Sequence, residues 1–248
     1  MLNLNGRAPF LYNMSYLVAA RTSIVPPIAI SVGGLLSMLL IATVLRNGTM
    51  PLLEISQHEL VNFTFTMQMA VMAVSFVVIA LTYGYNRESF RKYFRLCSTF
   101  SGATDWKFYG PAIAVSFTLG TTFYMSFSVT SQHGSINESF FGLLPLVLLL
   151  SATNAWSEEI FSRFVIVAGL DGKLSPTTIC WVSASLFGLA HISGTPSGVS
   201  GVLMSGLLGF LLARSVIETR GLGWALFIHF LQDVVIFGAG AMVLAGKS

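Results

Sequence analysis

Six ionisable residues in the C-terminal half of this 248-residue chain have the types and spacing that hydrolysis needs. They are Glu158, Glu159 and Arg163 in "EEIFSR", His191 at the end of "FGLAH", and His229 with Asp233 in "HFLQD". Residues four apart on an α-helix share a face, so Glu159 is expected to pair with Arg163, with the acid N-terminal to the base in the favourable order. Glu158 is turned about 100° from Glu159 by the 3.6-residue period and lacks that partner. Its carboxylate is the freer of the two and available to take a proton from water. His229 and Asp233 repeat the four-residue spacing, as do Phe187 and His191. A carboxylate base beside two imidazoles suits activation of water and stabilisation of an oxyanion, the two requirements of acyl-bond hydrolysis. Glu158, His191, His229 and Asp233 also have the N/O donors to hold a divalent metal such as zinc and polarise its water, and the residues alone leave both routes open.

The elements that must position these groups are membrane helices. The chain is 54% hydrophobic and only 9% charged, against about 25% charged in ordinary globular domains. This excludes a soluble domain and predicts an all-α, polytopic transmembrane bundle in a lipid bilayer. The net charge of +3 is small and dispersed, so no nucleic-acid partner is expected. Cys97 and Cys180 form no CxxC, which argues against a disulfide framework or a cysteine-built metal site. The N-terminal stretch reads as a retained interfacial segment rather than a signal peptide, because no basic n-region precedes an apolar core.

Apolar runs long enough to span lipid fall at 27–46, 62–83, 110–130, 139–168, 176–193, 199–217 and 222–245, seven in all. With no internal repeat, the chain is read as one membrane domain, 1–248. Segment 84–109 carries Arg87, Arg91, Lys92, Arg95 and Lys107, whereas 47–61 carries Glu54 and Glu59 and no Lys or Arg. The positive-inside rule therefore makes the first cytoplasmic and the second external, and alternation places the N-terminus, with Arg7 and Arg21, and the loop around Asp171 and Lys173 inside. A stripe of small residues, Gly201, Ser205, Gly209 and Ala213, lets a neighbouring helix approach the sixth span and bring the fifth and seventh together.

A charge at bilayer depth costs at least ~2.5 to 3.5 kcal/mol, so each ionisable residue needs a partner or a wet cavity. Measured along straight helices, Glu158 lies roughly 15 Å from the inner end of its span, His229 roughly 10 Å and His191 roughly 22 Å from the starts of theirs. That spread exceeds a single site unless tilt or a displaced fifth helix absorbs it.

The sequence contains no GxSxG, HExxH, P-loop or Gly-rich dinucleotide motif. Buried Glu, His and Asp also build proton relays, so an ion-coupled transporter is an alternative, as is a non-catalytic scaffold. A transporter is expected to show paired interrupted spans in two halves, and none is visible.

"EEIFSR", "FGLAH" and "HFLQD" match, in order on successive apolar helices, the patterns EExxxR, FxxxH and HxxxN/D. In this the chain resembles the CPBP family of intramembrane proteases, named for CAAX proteases and bacteriocin-processing enzymes and also called Abi proteins. The resemblance covers roughly 139–245, the expected catalytic core in the last four spans. It implies an endopeptidase of a multi-pass membrane protein, expected in a bacterial cytoplasmic membrane, acting on a lipidated, leader-bearing or membrane-anchored peptide substrate. It implies that Glu158 and His191 activate water, that His229 and Asp233 stabilise the oxyanion or bind metal, and that Glu159, Arg163 and Phe187 support them. Many members have Asn where this chain has Asp233. Since an ionised Asp donates no hydrogen bond, that residue must be protonated, bind a metal or orient His229.

Overall fold

The computed structural model describes residues 23–96, 104–195 and 197–247. The N-terminal interfacial segment with Arg7 and Arg21, and also Cys97, lie outside the described residues. Every regular element among the described residues is helical. In chain order they are α1 (Val25–Arg46), α2 (Glu59–Tyr85), the short α3 (Arg87–Tyr93), α4 (Trp106–Ser131) and α5 (Glu138–Glu159). A π turn (Ile160–Phe164) carries α5 into α6 (Val165–Leu170), followed by α7 (Pro176–Ala190), α8 (Gly198–Thr219) and α9 (Gly223–Ala245).

In hydrocarbon every backbone polar group must be satisfied within the chain, so apolar sequence of this length resolves into helices with capped ends. Asn86, Asp105, Asn137 and Ser175 each accept a hydrogen bond from a backbone N–H in the first turn of α3, α4, α5 and α7. Six helices, counting α5 through α6 as one, are long and apolar enough to cross a membrane. The chain is therefore an integral membrane protein. The expected fifth span, 176–193, is α7, which has only 15 residues. At 1.5 Å per residue it covers about 22 Å, less than the ~30 Å of a hydrocarbon core. It stops at Ala190 because His191–Ser193 tighten into a 3-10 turn before the Gly-, Pro- and Ser-rich link to α8.

The small-residue stripe lets α7 approach α8 closely, as its spacing predicts. Gly201, Ser205, Gly209 and Ala213 are all buried. A Cβ added at Gly209 would sit 3.3 Å from the Ala184 Cα, and one at Gly188 would meet the Val202 carbonyl oxygen at 2.6 Å. The two backbones are therefore nearly in contact, and α7 is clamped to α8. On the other side, α5 and α9 run antiparallel: Asn137 donates to the Ala245 carbonyl at 2.9 Å, and Glu159 meets His229 one bundle length away.

Contacts also sort the ends of the bundle. Lys92 pairs with Asp171 at 2.7 Å, Lys173 donates to the carbonyls of Ser23 and Gly169, and Leu222 N–H donates to the Arg95 carbonyl. The loops around 86–95, 171–175 and 220–222 thus share one end, which is the grouping that alternating spans require. Burial works against the Lys92 charge, but the hydrogen bonds to Asp171 and Tyr93 outweigh it and hold the ammonium above the ordinary lysine range.

The α7–α8 contact leads to a direct test. Gly188→Ala is expected to lower the midpoint of unfolding in detergent by the equivalent of about 1 to 3 kcal/mol, the usual cost of overpacking. Gly33→Ala, where an added Cβ meets nothing within 4 Å, should leave the midpoint unchanged or slightly raised.

Candidate functional site

The ionisable residues of α5 and α9 converge on one imidazole. His229 Nδ1 lies 2.6 Å from Glu159 Oε1, while its Nε2 faces Glu158 Oε2 at 3.5 Å and Asp233 Oδ2 at 3.7 Å. An ionised carboxylate only accepts hydrogen bonds, so Nδ1–H donates to Glu159 and that contact fixes the ring. Glu159 and Arg163 have no exposed surface at all, and their side chains meet at 3.3 Å between Nε and Oε2, the pair the spacing predicts. Arg163 also donates to Ser162 Oγ, and its guanidinium lies 3.6 Å from the centre of the Phe187 ring. Phe187 in turn stands edge-on to His229, with ring centres 5.6 Å apart, so it fills the space between the cation and the imidazole.

Glu158 is less isolated than its helical phase suggests. Helix α9 approaches between the two glutamates, so His229 reaches both and Glu159 serves two partners rather than one. Glu158 still differs from its neighbour: its Oε2 is buried and has no hydrogen-bond partner among the described residues.

His191 closes the site from α7. Its Nδ1–H donates to the Phe187 carbonyl at 2.9 Å, which leaves Nε2 as the free acceptor nitrogen. Its ring centre lies 4.4 Å from that of Phe187. His191, His229, Asp233, Phe187, Phe117 and Thr121 line one cavity of about 60 Å³, which has room for a few water molecules. The spread in depth disappears because His191 stands at the end of a short helix, at the level reached by the middle of α9. A second cavity of about 110 Å³ between α2, α5 and α9 is lined by apolar side chains and Thr64, with no ionisable group, and offers no chemistry.

The donors do not form the metal site that their types allow. Among the described residues no group of three or more His, Cys, Asp or Glu is arranged to hold a metal ion. Glu158, His191, His229 and Asp233 as placed form no such group, and no chemical step is routed through a metal.

Several contributors are not apparent from motif spacing. Asn154 donates to Asp233 Oδ2 at 3.2 Å. Gln232 is gripped by two hydroxyls of α4, accepting from Thr121 at 2.6 Å and donating to Thr118 at 3.1 Å. The π turn begins immediately after the paired glutamates and is wholly buried, a local feature frequent at functional sites. Asn154 carried a usable signal, since it precedes Glu158 by four residues. The partners of Gln232 carried none, because they belong to another span.

The arrangement defines an all-helical integral membrane protein with a buried carboxylate–imidazole cluster between antiparallel helices. Residues 140–235 match the family described as type II CAAX prenyl endopeptidase Rce1-like. Over that segment the resemblance to the CPBP intramembrane proteases is borne out, and the segment contains all six ionisable residues of the cluster. No curated protein and no solved structure matches the chain.

Removing the guanidinium would leave Glu159 buried with only His229. Arg163→Ala should therefore cost about 3 to 5 kcal/mol, as expected for breaking a buried pair. Unfolding of the purified protein in mixed micelles would measure this, and a change below 1 kcal/mol (~ the worth of an exposed pair) would show that Arg163 is not holding the cluster.

Proposed function

We propose that the protein is an intramembrane endopeptidase that hydrolyses a peptide bond with water activated by Glu158 and His191. The observation that carries this reading is Glu158 Oε2, a buried carboxylate oxygen with no hydrogen-bond partner, 3.5 Å from Nε2 of His229, which together with His191 lines the small cavity. Glu158 takes a proton from water, aided by His191 Nε2, and the hydroxide oxygen attacks the scissile carbonyl carbon. The carbonyl oxygen becomes an oxyanion, which doubly protonated His229 stabilises by donating Nε2–H from the same cavity wall. Collapse of the intermediate breaks the C–N bond, and the proton held by Glu158 passes to the departing amine.

Glu159 orients the reaction by holding His229 Nδ1–H, so that Nε2 points toward Glu158 and Asp233, much as a carboxylate fixes the imidazole of a hydrolytic triad. Arg163 neutralises Glu159, and Phe187 keeps the guanidinium and both imidazoles in place. The working unit is residues 139–245 within a single membrane domain, and α4 adds the remaining cavity wall. The substrate class is a lipidated, leader-bearing or membrane-anchored peptide. The shared end carrying Arg87, Arg91, Lys92 and Arg95 faces the cytoplasm, with the N-terminus on that side, in a bacterial cytoplasmic membrane.

Mass spectrometry of the peptidome of cells carrying wild-type, Glu158→Gln, Glu159→Gln and His191→Ala protein, with abundance matched, tests the assignment. Wild-type-dependent cleavage products should disappear in Glu158→Gln and His191→Ala. Glu159→Gln, which keeps an acceptor oxygen for His229, should retain a measurable fraction. Processing that survives Glu158→Gln but not Glu159→Gln would reverse the division of labour, and processing that survives both Glu158→Gln and His191→Ala would rule out this mechanism. The wild-type products should also survive treatment of membranes with a chelator.

A further inference from the structure

Asn154 stands four residues before Glu158 on α5, and Asp233 four residues after His229 on α9. Because these helices are antiparallel, the two pairs of positions meet as two rungs one turn apart. Glu158 and Glu159 meet His229 on one rung, and Asn154 meets Asp233 on the other. The second rung is an amide–carboxylate contact of 3.2 Å, the only hydrogen bond to the Asp233 side chain among the described residues. His229 Nε2, at 3.7 Å, is beyond hydrogen-bond reach of that carboxylate. The Asn154 amide nitrogen makes this contact, donating to Asp233 Oδ2. The adjacent Gln232 offers no substitute, since its amide is engaged by Thr118, Thr121 and the Ile228 carbonyl.

We propose that Asn154 is a positioning residue of the hydrolytic site, acting through Asp233. This inference rests on the hydrolytic reading given above. The amide holds the Asp233 carboxylate against α5, so that one oxygen stays beside His229 Nε2 at the cavity wall. Released from the amide, the carboxylate is free to turn about its side-chain bonds, and its charge faces Glu158 across the imidazole. The loss then falls on the chemical step and not on substrate capture, because Asn154 itself is not among the residues lining the cavity.

The test is made on the full-length protein in detergent micelles, with a farnesylated CAAX-type peptide as the probe. Asn154→Ala should lower kcat about 10- to 100-fold with KM nearly unchanged, the scale of a catalytic group displaced by a fraction of an ångström to one ångström. Asn154→Asp, which opposes two carboxylates, should be worse. The exchange Asn154→Asp with Asp233→Asn restores one amide and one carboxylate to the rung, and should exceed the Asn154→Asp single variant in kcat. Independently of activity, unfolding midpoints of Asn154→Ala, Asp233→Ala and the double variant should be non-additive, the double losing less than the sum. Wild-type kcat in Asn154→Ala, or strictly additive midpoints, would overturn the proposal. Wild-type protein that leaves the probe uncut would count against the hydrolytic reading for that substrate, while the unfolding cycle still decides whether the rung exists.

Discussion

Glu159 has no contact with solvent, and a carboxylate in that position within a lipid-embedded bundle persists only if partners are brought to both of its oxygens. One oxygen meets Arg163, four residues along the same helix, and the other meets His229 from α9. The first contact is intrahelical and needs only secondary structure. The second requires α9 to lie antiparallel against α5 in a single register, because a shift of one residue would carry His229 about 100° around its helix. The position of Glu159 therefore constrains the packing of the whole C-terminal half, and the cluster around His229 follows from that register.

The other helices supply what this register needs. Lipid offers no hydrophobic force between helices, so close packing has to come from small residues and buried hydrogen bonds. The α7–α8 pair uses glycine and alanine to bring backbones together, which presents Phe187 to the guanidinium on one side and His229 on the other. Polar side chains join the remaining helices: Gln68 on α2 accepts from Thr153, Ser75 accepts from the Trp156 indole at 3.1 Å, and Gln232 links α9 to α4. The π turn after Glu159 widens one turn of the helix, and all five of its residues are buried, Arg163 among them.

Much of this could be read in the residues themselves, and the limits are physical. The four-residue spacings of Glu159 with Arg163, and of His229 with Asp233, are properties of a single helix and are visible in a single segment. The division between Glu158 and Glu159 depends on the direction from which α9 arrives, and no periodicity within α5 contains that information. For the same reason the tautomer of each imidazole became legible only once Nδ1 was seen to face a carboxylate in His229 and a carbonyl in His191. The π turn left no mark in the sequence because it contains no Gly or Pro to set it apart from the α-helix on either side. The short fifth helix was obscured by His191 and Ile192, which extend the apolar run by composition while the backbone turns into a 3-10 conformation.

The first three long helices match no family segment, yet they are not spectators of the cluster. Helix α4 places Phe117 and Thr121 on the cavity wall and ties its hydroxyls to the residue preceding Asp233. Helix α2 holds α5 through Gln68 and Ser75, on either side of the turn that carries Asn154. These contacts use Thr, Ser and Gln, which fall below notice in an apolar run because each is inexpensive to bury when paired. The charged residues define where chemistry is possible, and the uncharged polar ones, spread over helices with no motif, determine how precisely those charges are aimed. A chemistry carried by six residues on three helices therefore depends on a bundle of more than twice that size.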